Sequence, residues 1–328
     1  MNKRENENLK LLKDSFQIID ISDEEYFGEK YKDYISNSSL AWINPSQNGD
    51  PYEYKYSNHE LSTSSLNLGS IVHLKVLQNI DAKINVGKIP SSKKVIDIIN
   101  ELSKLHKKGI KLIDIAQELS VKYDHFKNKP DSFIKSIMNY SGYFYSKIRP
   151  ENNTFYINQQ SKEKLDLCQE SISFLSDLLS ENENSFNEKT ILSCFEYKNS
   201  YNNCNESKIL KVKCKIDNYK IDHLNKKIIL NDLKTTSSDL DTFMETSFNK
   251  YHYDRQFSLY LYLLSNVLSL EGYSLECNVY VLNTSNGLFK VFPILQSHIE
   301  NGYKEWSDCI KRIGFHEMFG YNILLDPL

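Results

Sequence analysis

The sequence predicts an α/β fold: a central mixed sheet of about five strands, flanked by helices, with a helical insertion ahead of it. Three observations carry this reading. Two β-branched, period-2 runs meet at His223-Leu224-Asn225-Lys226, a hairpin signal. An apolar and aromatic segment over residues 255–264 follows them and reads as a buried helix. Residues 92–140 and 161–180 carry helical patterns before the strand block begins.

Taken in order, residues 1–15 are polar and read as an arm, and residues 16–65 are mixed and aromatic. The first clear helix runs from Leu68 to Leu77. Gly109 and Pro130 break the helical stretch of 92–140. Leu165, Leu167, Ile172, Leu175, Leu178 and Leu179 supply the apolar content of the next helix. Residues 182–188 read as a polar loop and 191–197 as a strand. After the hairpin and its helix, 276–281 and 288–294 form a second hairpin turning near Asn286-Gly287, and 296–313 the final helix. The expected division is an N-terminal arm (1–33), a main domain (34–315) with its helical insertion at about 81–190, and a C-terminal tail (316–328).

Composition bounds the function classes. A chain of 328 residues can bury a large core. A net charge of −3 gives no global attraction to nucleic acid. The charge is uneven, however: residues 81–130 hold eleven Lys against six acids, and residues 205–234 eight against four. Such a surplus around an acidic site would suit a phosphate backbone. The six cysteines form no Cys-x-x-Cys pair, so a zinc ribbon is not expected. The N-terminus lacks an apolar h-region, and no run approaches a membrane span, so a cytoplasmic protein with no membrane partner is expected.

The chemistry concentrates between Lys213 and Thr236. Asp232-x-Lys234 ends the apolar run Ile228-Ile229-Leu230, and Asp217 lies upstream. With Leu224 and Asn225 as loop residues, Asp217 falls opposite Asp232, with Cβ atoms about 5 Å apart. Lys234, two residues on, points to the same face. Two carboxylates at that distance repel unless a cation lies between them. Hard oxygen ligands suit Mg²⁺, which polarises a phosphate and acidifies a bound water. The pattern therefore points to metal-assisted phosphodiester hydrolysis. An acid-x-Lys tripeptide alone says little, because Asp81-Ala-Lys83, Glu53-Tyr-Lys55 and Glu206-Ser-Lys208 occur in the same chain.

Three further features add weight. Gln256 and Tyr260, four apart, share a helical face. Gly69-Ser70-Ile71-Val72-His73 opens the first helix, and Glu196 lies in the strand before the hairpin. In this order and spacing the motifs resemble the PD-(D/E)xK nuclease superfamily, in its RecE/RecB-like, phage-type exonuclease VIII-like branch. Ser36-Asn37-Ser38-Ser39-Leu40 and Pro51-Tyr52-Glu53-Tyr54 fit the same branch. The resemblance covers about residues 34–315 and matches poorly between about 80 and 190.

The resemblance implies a restriction-endonuclease-like core and a set of roles. Asp217 and Asp232 are the main metal ligands. Lys234 positions the attacking water, and His73 helps hold a metal near the scissile phosphate. Glu196 is the additional acid, with Glu206 as its competitor. Gln256 and Tyr260 brace the site and approach the DNA backbone. Asp222 falls on the other face of the hairpin and is read as structural. The implied activity is a Mg²⁺-dependent deoxyribonuclease, with Mn²⁺ able to substitute. It would act as an exonuclease on duplex ends in recombination or end processing, in a bacterial host. A single-strand annealing partner and a homo-oligomer go with it. An iron–sulfur cluster is not expected, since the close C-terminal cysteine trio of some relatives is missing. An endonuclease on the same fold and a catalytically inactive DNA-binding protein are the alternatives.

Overall fold

A computed structural model describes residues 8–56, 64–149, 151, 153–198 and 206–321. Residues 1–7 of the expected arm, Cys204 and residues 322–328 of the expected tail lie outside the described residues. Contacts divide the chain into a sheet unit (Met1–Leu61, Asp177–Asn283, Phe289–Leu328) and a helical unit (Ser62–Ser176, Thr284–Leu288).

The sheet unit begins with two short strands, β1 (Leu9–Leu11) and β2 (Gln17–Ile19), and three short helices, α1 (Asp23–Tyr26), α2 (Asn37–Leu40) and α3 (Pro51–Tyr56). Both strands pair antiparallel with the later strand β5. Within the described part of the expected arm, Leu9–Leu11 and Gln17–Ile19 are thus sheet and Asp23–Tyr26 helix. Leu9 is buried and Leu11 packs on the core, and these few apolar side chains suffice to dock a short edge strand. The same two strands raise the count from the expected five to seven.

The helical unit contains α4 (Ser64–Leu77), β3 (Lys83–Val86), α5 (Lys93–Lys107), α6 (Leu112–Lys122), α7 (Pro130–Met138), α8 (Ser141–Ile148), β4 (Thr154–Ile157) and α9 (Gln159–Leu167). Ile98, Leu102, Ile115, Leu119, Phe133 and Phe144 fill its separate core. The helical stretch is interrupted before Pro130, which opens α7 because the first helical position needs no N–H donor. The helix α4, which carries His73, belongs to this unit.

α10 (Gln169–Leu178) leads to the main strands: β5 (Ser185–Lys198), β6 (Ser207–Asp222) and β7 (Lys227–Thr236). α11 (Tyr253–Leu268), β8 (Ser274–Asn283), β9 (Phe289–Pro293) and α12 (Gln296–Phe319) complete the unit. The strand order is β1-β5-β6-β7-β8-β9, with β2 also on β5. β7 and β8 run parallel and the other pairs antiparallel, so the sheet is mixed. The parallel pair requires a crossover, and α11 provides it.

α11 is held in place from two sides. Phe257, Leu259, Leu261, Leu263 and Leu264 are almost fully buried, each contributing about 1.5–3 kcal/mol of apolar burial. At its start, the buried Arg255 guanidinium donates to Asn37 Oδ1 at 2.9 Å, Gln47 Oε1 at 2.5 Å and Glu305 Oε1 at 3.2 Å. The Ser36–Leu40 segment is therefore tied to the first turn of α11. Gly302 in α12 lets the two helices approach, since a Cβ there would lie 2.1 Å from the Asp254 carbonyl oxygen.

Candidate active site

The β6–β7 turn comprises His223–Lys226, with Asp222 opposite Lys227 as the last pair. Asp222 accepts from the Asn225 backbone N–H at 3.0 Å and from its side-chain amide at 2.7 Å, which fixes the turn. The loop is four residues long, and it sets the same register as the expected two-residue loop. Pairing continues to Asn218 opposite Asn231. The next positions are Asp217 and Asp232, where the ladder stops. Instead of a backbone bond, Asp217 Oδ2 accepts the Leu233 N–H at 2.8 Å.

On β6, Leu210, Val212, Cys214 and Ile216 enter the core from one parity, Tyr219 and Ile221 from the other. The β5–β6 ladder skips the facing pair Glu188 and Asp217, and Glu188 has a left-handed φ of 53°. Carboxylate oxygens of Glu188 and Asp217 lie within 4.8 Å of one another. Such local ladder disruptions re-aim side chains beside functional sites.

Asp232 is 2 % exposed. Its Oδ1 accepts from Gln256 Nε2 at 2.8 Å, and its Oδ2 lies 2.5 Å from Lys234 Nζ. Burial alone would lower the Lys234 pKa, but the Asp232 and Asp217 carboxylates more than offset it and hold the amine protonated well above the usual lysine range. Lys234 also sits 5.2 Å from the centroid of the Tyr253 ring. On the same face of α11 as Gln256, Tyr260 is half-buried. Burial, then Tyr26, Cys214, Asp232 and Asp217, push its phenol well above the ordinary value, so it stays a neutral donor.

The site therefore gathers Asp217, Asp232, Lys234 and Gln256. It does not gather Glu196. Glu196 pairs with Ile209, eight residues along β6 from Asp217, and strand rise puts that at roughly 25 Å. Its carboxylate instead lies 3.5 Å from Lys198. Glu206, just before β6, is farther still along the strand. Glu188 occupies the place the sequence reading gave to Glu196. It was read as loop because the alternation begins only after it, and the long 199–206 connection gave no turn from which to fix the β5–β6 register.

The lysine surplus of residues 205–234 is largely consumed within the fold. Lys213 is buried and donates to the Tyr26 and Tyr31 carbonyl oxygens at 2.5 and 2.9 Å, and burial pulls its pKa down to about 8. Lys215 bridges Asp23 at 2.5 Å and Glu188 at 2.6 Å. Lys208 pairs with Glu317, Lys227 with Glu276, and Lys220 donates to the Leu178 carbonyl oxygen.

A second group, His252, Asp254 and Glu305, also brings its ligand atoms within 4.8 Å of one another. Glu305 there already accepts from Arg255 and lies 2.7 Å from His252 Nδ1, and the group anchors the start of α11.

The first group fits a hard divalent cation. Its donors are carboxylate oxygens, and two such oxygens within 4.8 Å are spanned by one ion at the 2.0–2.6 Å bond lengths typical of Mg²⁺ and Ca²⁺. Among the described residues, no helix is long and apolar enough to cross a membrane.

No family model matches the chain, and no curated protein matches it. Among solved structures, a protein from Eubacterium rectale described as a candidate exonuclease is similar over 93 % of this chain and 89 % of its own, at 12 % identity and a TM-score of 0.46. Rai1 from Scheffersomyces stipitis is similar over 94 % and 86 %, at 10 % identity and a TM-score of 0.19. Rai1 from Candida albicans, in complex with pU5 and Mn²⁺, gives 98 % and 84 %, 11 % and 0.18. The α/β assignment rests on the chain's own mixed sheet and its helices.

Proposed function

We propose that this protein is a divalent-metal-dependent nuclease that hydrolyses DNA phosphodiester bonds at the β6–β7 hairpin. The observation that supports the reading most is the register placing Asp217 opposite Asp232, with Lys234 and Gln256 on Asp232 and Glu188 facing Asp217. Asp217, Asp232 and Glu188 would hold the ion. His73, on α4, is the further ligand that the family resemblance assigns.

A bound divalent ion would supply positive charge to a phosphate oxygen and acidify a water. The chain's own groups do the rest. Gln256 orients the Asp232 carboxylate, and the Leu233 N–H orients that of Asp217. Lys234, held as an ammonium, cannot accept a proton. It donates hydrogen bonds, so its role is to orient the attacking water by its oxygen and to offset charge on the phosphate. Tyr260, a neutral donor, would contact a non-bridging phosphate oxygen. Action on duplex ends, an annealing partner and a homo-oligomer extend the same reading.

The test is cleavage of linear and of covalently closed circular duplex DNA, with Mg²⁺ and with EDTA. Digestion of linear DNA alone, abolished by EDTA, is expected. Cutting of closed circles makes the protein an endonuclease, and no cleavage under either Mg²⁺ or Mn²⁺ removes the catalytic reading.

The same assay separates the two glutamates. Glu188→Gln is expected to lower the rate by on the order of 10–100-fold, the usual cost of disturbing a metal's surroundings. Glu196→Gln is expected to leave it within about twofold, as for a surface substitution remote from the site. The opposite ranking would return the additional acid to Glu196.

A further inference from the structure

Directly behind the carboxylates runs a chain of buried asparagines. Asn187 Oδ1 accepts from Asn218 Nδ2 at 2.6 Å, Asn218 Oδ1 from Asn231 Nδ2 at 2.7 Å, and Asn231 Oδ1 from Asn278 Nδ2 at 3.4 Å. These four residues stand on four adjacent strands, β5 to β8, and each is the registered partner of the next. Asn218 and Asn231 are 0 % and 2 % exposed. The Asn187 amide also donates to the Leu179 carbonyl oxygen at 2.9 Å, and that of Asn218 to Ser185 Oγ at 3.0 Å.

Each of three ladder members is the chain neighbour of a site carboxylate: Asn187 of Glu188, Asn218 of Asp217, Asn231 of Asp232. Because successive residues point to opposite faces of a strand, the amides at 218 and 231 lie on the face away from Asp217 and Asp232.

We infer that this amide ladder is a positioning device that selects the strand register in which Glu188, Asp217 and Asp232 converge. The inference rests on the metal-dependent reading of the site. Hydrophobic alternation cannot make this selection by itself. A one-residue slip would invert every side chain, and burial forbids it. A two-residue slip keeps the alternation intact, yet it moves Asp232 past Asp217 by about 7 Å. The β6–β7 turn opposes such a slip from the far end of the hairpin, but the backbone ladder has ended at the site itself, and the longer connection from β5 to β6 sets no register there. The amides do oppose it, since shifted strands would set buried Asn231 against Ile216 or Lys220 and leave amide groups without partners. A buried amide pair in a coiled coil fixes register by the same means.

The test replaces two adjacent rungs at once, in the full chain, with Asn218→Leu/Asn231→Leu. Removing both members of the central rung avoids a half-made 218–231 pair, although Asn187 Oδ1 and Asn278 Nδ2 each lose the bond they make to it. Mn²⁺ binding is followed by titration calorimetry beside the parent and Asp232→Asn, with circular dichroism to establish folding. The expected result is a folded double variant that binds Mn²⁺ at least about tenfold more weakly than the parent, as when a metal's supporting groups are removed. Should the double variant fail to fold, Asn231→Ser keeps a polar group but shortens the reach, and a folded protein about threefold or more weaker is expected. A folded variant that binds within twofold of the parent would overturn the inference while leaving the metal site standing. A parent whose Mn²⁺ binding is absent, or the same as that of Asp232→Asn, would overturn the metal reading and this inference with it.

Discussion

Asp232→Asn is expected to fold normally and to lose Mg²⁺-dependent cleavage by on the order of 10²–10³-fold, the scale seen when one charge-stabilising group is removed from a preorganised site. The substitution keeps shape, and the amide oxygen can still accept the Gln256 Nε2–H now bonded to Asp232 Oδ1. What it removes is one negative charge at a position that is 2 % exposed, where no water can replace it. On the proposed reading a divalent ion would lose a ligand, and Lys234 loses the carboxylate that lies 2.5 Å from its ammonium. Single-turnover cleavage of linear duplex at saturating Mg²⁺ measures the effect. A variant with more than a tenth of the parent rate would mean that chemistry does not occur at this hairpin.

The second large effect is on stability, without metal. Lys234→Met is expected to cost about 3–5 kcal/mol, because it leaves a buried carboxylate whose ion-pair partner is gone. Asp232→Asn/Lys234→Met should cost much less than the sum of the single changes, since it removes the uncompensated charge along with its partner. Urea unfolding of the four proteins at neutral pH closes the cycle. Burial opposes the charged amine, but Asp232 and Asp217 together raise its pKa above the ordinary 10.5. A group raised in this way contributes stability that is complete below its unfolded value and is lost as pH climbs through its folded value. The parent should therefore lose stability above about pH 10.5 by more than Lys234→Met does. Equal alkaline slopes would show that the pair carries no such coupling.

Much of this site was legible in the sequence because its parts are local. The β6–β7 hairpin is closed by a short turn, so counting back from His223–Lys226 places Asp217 against Asp232 with no knowledge of the rest of the fold. Gln256 was legible because it shares a face with Tyr260 in a short apolar helical segment, and the resemblance gave that face its role. Glu188 was not legible. Its position depends on pairing between β5 and β6, which no short turn registers, and on a left-handed backbone that period-2 alternation does not reveal. Composition counts charges but not partners, and Lys213, Lys215 and Lys227 are spent on carbonyl oxygens and acids of the chain itself. The β1 and β2 strands were missed because three residues are too few to show a period.

Those two short strands bear on the order in which the protein forms. Leu9 meets Tyr197, and Gln17 meets Leu192, across about 180 residues of chain, so loop closure must be completed before either contact returns any energy. During synthesis, the helical unit's α4 to α9 emerge whole while the N-terminal strands still lack their template. The β6–β7 hairpin, by contrast, can close within about 20 residues of emerging and fold on the microsecond scale. Asp217 and Asp232 would thus meet early, and the N-terminal strands would seal the far side of β5 last. In native-state hydrogen exchange, the amides of Leu9–Leu11 and Gln17–Ile19 should open well before those of Ile228–Leu230.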